Sequence, residues 1–189
     1  MATYTALYDA CVLYPAPLRD LLVSLAGTAL FRARWTDQIH EEWIRNVVKK
    51  NPELTRDKLN STRDKMNFAV QDSLITGYEP LVEALELPDP DDRHVLAAAI
   101  VGRANVIVTF NTRDFPTTVL QPFGIEAQHP DDFVLHQIDL HHPIVCKAVK
   151  VMRARMKNPT VSAATLLEIL ERQQLTQSAV RLREYEALL

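Results

Sequence analysis

The sequence predicts an α/β fold: a central, mostly parallel sheet flanked by helices, followed by a small all-α C-terminal region. Residues 106–110, VIVTF, form a continuous β-branched apolar run of the kind buried on both faces of a parallel sheet. Short runs of this type alternate with helical periodicity up to residue 142, which is the pattern of a parallel sheet with crossover helices. From Pro143 onward, helical patterns follow one another with no strand between them. These features divide the chain into an α/β domain at 1–138 and a helical domain at 143–189.

TALYDACVLY reads as a buried strand that breaks at Asp9 and turns at Pro15 and Pro17. PLRDLLVSLAGTAL then carries apolar residues at helical spacing, with Gly27 as its stop. WTDQIHEEWIRNVVKK is the next helix, capped by Thr36, with Ile39, Trp43, Ile44 and Val47 as its apolar stripe. The helix NPELTRDKLNSTRDKMNFAV is polar, and its Leu54, Leu59, Met66 and Phe68 only loosely face one way. LITGY (74–78) is expected to form a second strand, followed by a short helix at PLVEAL. Asp92 opens the helix RHVLAAAIVGRA, another short strand is expected near IEAQ, and DDFVLHQIDL is helical. Beyond Pro143 lie three helical patterns, IVCKAVKVMRARMK, SAATLLEILERQQ and QSAVRLREYEALL, broken at NPT and LTQ.

At 189 residues, 47% hydrophobic and 24% charged, the composition is that of an ordinary globular chain. No apolar run approaches the ~18 residues needed to span a bilayer, and no basic segment precedes apolar residues at the N-terminus. Cys11 and Cys146 are far apart, with no spacing that suggests a disulfide framework or a zinc site. A reducing, cytoplasmic setting is therefore expected. The net charge of −3 conceals an asymmetry: residues 1–142 hold 13 basic and 20 acidic side chains, residues 143–189 eight basic and four acidic.

The acidic side chains sit where an α/β sheet builds its sites. Asp9 ends the first strand, at the edge where open parallel sheets bind ligands. Glu42 lies within a helix, Asp92 stands at a helix N-terminus, and Asn111 and Asp114 follow VIVTF. Carboxylates converging from separate elements repel one another unless a cation neutralises them, and all-oxygen ligation selects a hard ion such as Mg²⁺ or Mn²⁺. Such an ion polarises a phosphodiester and activates water. Singly, each residue also has an ordinary structural use: Asp9 and Asp92 as caps, Glu42 as a surface acid beside Arg45, Asp114 as a turn former.

In order and context, LYDACVLYP, WTDQIHEEW, DPDDRHVLAAA and VIVTFNTRDFP resemble the PIN-domain nucleases, and more narrowly the VapC-type toxins of bacterial toxin–antitoxin pairs. The resemblance covers about residues 1–135, and its most specific part runs from DDRHVLAAA to VTFNTRDF. It implies a parallel sheet flanked by helices, a Mg²⁺ or Mn²⁺ cofactor, and metal-dependent endoribonuclease activity on single-stranded RNA. Asp9, Glu42, Asp92 and Asp114 match the family's catalytic acids, with Asp9, Asp92 and Asp114 as metal ligands. Thr109, Asn111 and Arg113 take substrate-positioning roles. The implied partners are an RNA substrate (tRNA, rRNA or mRNA), a cognate antitoxin protein and a second copy of the chain, with no membrane.

Two departures from the family pattern stand out. Cys11 occupies a position that usually carries a hydroxyl or amide, and Asn111 one that often carries an acid. The fourth acidic position therefore lies between Asp114 alone and Asn111 together with Asp114. A non-catalytic PIN-like module that binds RNA or protein is the alternative reading. A phospho-acceptor domain built on Asp9 and Thr109 ranks below both, because no second acid adjoins Asp9 and no lysine closely follows TFNTRDF.

The basic C-terminal region offers Lys147, Lys150, Arg153, Arg155 and Lys157 within about three helical turns. Lys150, Arg153 and Lys157 are spaced to share one face and to contact an RNA backbone. Alternatively, Val145, Val149 and Met152 dock an antitoxin or a second subunit. Trp35 and Trp43 are expected in the core rather than as base-stacking platforms, and His40 at the surface.

Overall fold

The computed structural model describes residues 4–189, and the chain forms two compact units. One comprises the chain up to Tyr14 together with Phe31–His129, and the other Pro15–Leu30 with Pro130–Leu189.

In the first unit, β1 (Thr5–Tyr8) is followed by the short helix α1 (Ala10–Leu13). The intervening helix α2 (Ala16–Ala26) belongs to the second unit. The chain returns with β2 (Arg32–Arg34), α3 (Asp37–Lys50), α4 (Arg56–Ala69), α5 (Glu79–Val82) and α6 (Arg93–Val101). The strand β3 (Val106–Val108), the short helix α7 (Thr117–Leu120) and β4 (Glu126–Gln128) complete it. The four strands form an all-parallel sheet in the order β2-β1-β3-β4. All of β1 and β3 is buried, as their continuous apolar runs require.

The register matters for the site. Tyr8 pairs with Val108, so the carboxyl ends of β1 and β3 lie side by side. The next residues, Asp9 and Thr109, are held there by backbone bonds, Asp9 N to Val108 O at 3.1 Å and Thr109 N to Gln128 O at 3.0 Å.

Thr36 caps α3 by accepting from Ile39 N at 3.0 Å, and Ile39, Trp43, Ile44 and Val47 are all buried. Trp35 and Trp43 have no exposed surface. On α4 only Leu59 and Met66 turn inward, and Phe68 is 87% exposed.

Two sequence expectations are corrected, and one strand was not anticipated. LITGY is not a strand; Leu74 makes only an isolated bridge to Trp35. The strand beside β1 is instead Arg32–Arg34, which lacks an apolar run because its partner's backbone, rather than side-chain burial, defines it. ACVL forms a helical turn, because the Asp9 carboxylate accepts from Ala10 N and starts a helix there.

The second unit is helical. It contains α2, α8 (Pro130–Arg155), α9 (Ala163–Arg172) and α10 (Thr176–Arg183). The two helices expected on either side of Pro143 are present as the two halves of α8, separated by a kink with non-helical backbone at His141 (φ −148°, ψ 50°), two residues before the proline. Asp131 binds the start of α10, accepting from Gln177 N at 2.9 Å and Ser178 N at 2.8 Å, while Ser178 Oγ donates to the Asp131 carbonyl. Val145, Val149 and Met152, expected as a docking face, are buried on the helix that packs against α2 and α10. They are core residues and offer no surface to a partner. Among the described residues, no helix is long and apolar enough to cross a membrane.

Candidate active site

The carboxyl ends of β1 and β3 create the site. Asp9 is 5% exposed, and its carboxylate is already engaged: Oδ1 accepts from Ala10 N at 2.6 Å, and Oδ2 from Thr109 Oγ1 at 2.7 Å and Cys11 Sγ at 3.1 Å. A carboxylate has about four lone-pair positions, so these three bonds fix its orientation and leave room for about one further ligand. Asp9 is thus both the cap of α1 and a fixed, nearly buried charge.

Cys11 works as a donor in this cluster. Burial, followed by the adjacent Asp9 charge, pushes its thiol well above the ordinary range, so the sulfur keeps its proton and donates to Asp9. The same sulfur lies 3.3 Å from Thr109 Oγ1 and accepts from Phe110 N. Asn111 N in turn donates to Thr109 Oγ1 at 3.0 Å. The hydroxyl-like role expected at position 11 is filled by a thiol.

Asp89, Asp91 and Asp92 crowd one helix start. Asp89 does the capping, accepting from Asp91 N at 2.9 Å, while the Asp92 side chain makes no cap bond. The Asp92 carboxyl is pushed up to about 7, first by burial and then by the charges of Asp9, Asp89 and Asp114, with His94 opposing. Four aspartates from three chain segments therefore share one electrostatic neighbourhood. Asp89 belongs to it although it was not among the site residues expected from sequence; its position in PDPDD was the available signal.

Glu42 reaches the same helix by another route. His94 Nε2 lies 2.8 Å from Glu42 Oε1, which ties α3 to α6 two residues beyond Asp92. Glu42 is 24% exposed at the side chain, so it is not the free surface acid that its neighbour Arg45 suggested. His94 is almost wholly buried, and its Nδ1 has no hydrogen-bond partner among the described residues. Glu42 is not among the charges that raise Asp92. Among the described residues, no three His, Cys, Asp or Glu side chains are gathered tightly enough to cage an ion unaided.

The remaining candidates divide. Thr109 is buried at the centre of the cluster; Asn111 and Arg113 are exposed beside it, and Arg113 forms no ion pair in the described structure. His40, expected at the surface, is 1% exposed, hydrogen-bonded by Trp43 Nε1 at 3.0 Å and 3.0 Å from Asn67 Oδ1, and burial lowers its pKa. It is a core residue. In the second unit, Arg153 donates to the carbonyls of Val161 and Leu189, whereas Lys150 and Lys157 are exposed.

A cavity of about 400 Å³ opens beside Cys11, lined also by Tyr14, Asn46, Lys49 and Lys50. Lys50 Nζ sits 5.4 Å from the Tyr14 ring centroid. Sequence reasoning missed this group; Lys49 and Lys50 also lie in the last turn of α3, where basic side chains complement the helix C-terminus.

Residues 5–113 match the family profile described as the PIN domain, and residues 130–184 the one described as the VapC50 C-terminal domain. The chain belongs to the PIN-domain family. The PIN match ends at Arg113 and takes in the whole acidic cluster except Asp114. The chain is also 40% identical, over 107 residues, to a Mycobacterium tuberculosis protein named "Putative ribonuclease VapC50". That match covers 57% of this chain and 62% of the relative, less than two thirds of its length. No solved structure matches the chain significantly.

Proposed function

We propose that this PIN-domain chain is a metal-dependent endoribonuclease of the VapC type, cleaving single-stranded RNA. The observation that carries the reading is the Asp92 carboxyl pushed up to about 7, first by burial and then by the charges of Asp9, Asp89 and Asp114, because such like-charge crowding is relieved by a cation. The donors are hard oxygens, which suits Mg²⁺ or Mn²⁺; such an ion is commonly held by one or two carboxylates, with water and substrate phosphate filling the rest. This tolerates the absence of a closed cage. Asp9, Asp92 and Asp114 would hold the ion. When bound, it supplies Lewis-acid polarisation of the phosphodiester and a water acidic enough to attack at neutral pH.

The chain's own residues do the rest. Thr109 and Cys11 fix the Asp9 carboxylate in one orientation. His94 holds Glu42 beside the Asp92 helix, and the role assigned to Glu42 is to accept a proton from water. Asn111 and Arg113, exposed at the rim, offer an amide and a cation to the strand being cut. Lys49 and Lys50 offer positive charge in the cavity beside Cys11.

The relative's name and the match to the VapC50 C-terminal domain support a VapC-type ribonuclease; a toxin role with a cognate antitoxin, a homodimeric state and a cytoplasmic site of action belong to the same proposal. The non-catalytic alternative rests on the open, uncaged arrangement of the acids. Incubating the protein with single-stranded RNA in Mg²⁺, Mn²⁺ or chelator, beside Asp9→Asn, separates the two. Metal-dependent cleavage lost in Asp9→Asn supports the nuclease; RNA binding without cleavage under every condition supports the binding module.

A further inference from the structure

A second basic site lies at the other end of the sheet. A cavity of about 550 Å³ is centred on residues that begin the strands, among them Thr5, Arg32 and Asn105. Arg32, Arg34 and Arg103 all line it, and no Asp or Glu does. None of these arginines forms a hydrogen bond or ion pair through its side chain among the described residues, and the Arg34 Nε is buried without a partner. Register explains the convergence. Arg32 and Arg34 lie two apart on β2 and so share one face of the sheet, while Arg103 follows the C-terminus of α6 in left-handed backbone (φ 50°). Three guanidiniums around one concavity repel one another, and a buried donor with no acceptor is destabilising, so the arrangement suits an anion that supplies acceptors from outside.

We propose that this cavity binds nucleotide phosphate, as a site for the RNA chain distinct from the aspartate cluster. Guanidinium forks match phosphate oxygens. The volume exceeds that of one phosphate, and Leu74 and Val101 give an apolar wall for the attached ribose or base. The placement also suits a polyanion. The aspartates repel RNA where they gather beyond the ends of β1 and β3, and a cavity lined by arginines and by no acid supplies attraction without adding positive charge to the cleavage site. The inference rests on the RNA-directed reading of the chain, but not on cleavage.

The test measures binding in the full-length Asp9→Asn protein, so that turnover plays no part. Fluorescence anisotropy of a labelled single-stranded RNA 12-mer is followed across salt concentrations, with Arg34→Gln, Arg103→Gln and the pair introduced. The pair is expected to weaken binding at least 10-fold and to flatten the log–log salt slope by about 1–2, as for one or two lost phosphate contacts. Arg34→Lys should restore most of the slope, and Arg103→Gln alone, at an exposed helix end, guards against misfolding of the pair. A nucleoside monophosphate arm separates sources: loss of both ligands supports a local nucleotide site, loss of RNA alone a contact to the continuous backbone. Unchanged affinity and slope for RNA in the paired variant overturn the proposal. So does an acidic peptide whose binding is lost in the variants while RNA binding is not. Absence of cleavage by the wild type would sink the nuclease reading and leave this result standing.

Discussion

Thr109 Oγ1 donates to Asp9 Oδ2 at 2.7 Å across a sequence separation of 100 residues. The two side chains meet because β1 and β3 are parallel neighbours in register, each ending one residue before them. Thr109 therefore sets the orientation of Asp9 without itself needing to touch substrate. Thr109→Val, which keeps the shape and removes the donor, should weaken Mn²⁺ binding by about 10–100-fold, the range seen when a hydrogen bond behind a ligand is lost. Calorimetric titration of both proteins with Mn²⁺ checks this, and equal affinities would show that the bond positions nothing.

Asp92 makes the metal-free protein sensitive to pH. Its carboxyl titrates near 7 in the folded chain, against about 4 when unfolded, so the native state binds the extra proton between those values. The stability this gives is fully present below about pH 4 and is lost as pH rises through 7. In chelator, the part of the thermal midpoint due to Asp92 should fall from pH 5 to pH 8, and Asp92→Asn should flatten that fall. Saturating Mg²⁺ should flatten it as well, by supplying the counter-charge. Identical pH profiles for wild type and Asp92→Asn would contradict the crowding of the four aspartates.

Gly102 is a packing requirement. A Cβ built there would lie 2.4 Å from Ile75 Cδ1 and 3.0 Å from the Ala98 carbonyl. Gly102→Ala should destabilise the protein by about 1–3 kcal/mol, the usual range for overpacking, because one of the two contacts is backbone and cannot rotate away. Urea denaturation gives the value directly, and a neutral result would mean that the Ile75 side chain moves aside without strain.

In the helical unit, Asp131 holds the first turn of α10 through two backbone N–H groups. Asp131→Ala should cost about 1–3 kcal/mol, combining a lost cap with a buried, unsatisfied Ser178 N–H. Hydrogen exchange at Gln177 and Ser178 should quicken by more than that at the sheet amides. Slower or unchanged exchange there would argue against the cap.

The basic residues of α8 and the loop after it should separate into two classes. Arg153 bonds the Val161 and Leu189 carbonyls, so Arg153→Glu should lower thermal stability. Lys150 and Lys157 are exposed, and replacing both by Glu should leave stability within about 0.5 kcal/mol. If they contact RNA, that double variant lowers affinity and flattens the salt dependence; unchanged RNA binding would remove the C-terminal unit from the RNA path.

The α/β class, the buried strand VIVTF, the capped helix at Thr36 and the helical C-terminal region could all be read from local pattern. Each depends on periodicity, β-branching or a capping hydroxyl, which act over a few residues. The acids at Asp9, Glu42, Asp92 and Asp114 could be named for the same reason, since strand ends and helix starts are local signals. Their relations could not. The strand at Arg32–Arg34 exists only because β1 offers it a hydrogen-bonding edge, and nothing in RAR alone demands a strand. His40 and Glu42 read as polar helix positions until packing buries the first against Trp35 and Trp43 and turns the second toward His94. Asp89 and Asp92 look equivalent in PDPDD, yet only backbone geometry at the helix start makes one the cap and leaves the other to face Asp9 and Asp114. Convergence of charge is a property of distance in space, and 100 residues of chain between Asp9 and Thr109 carry no trace of it.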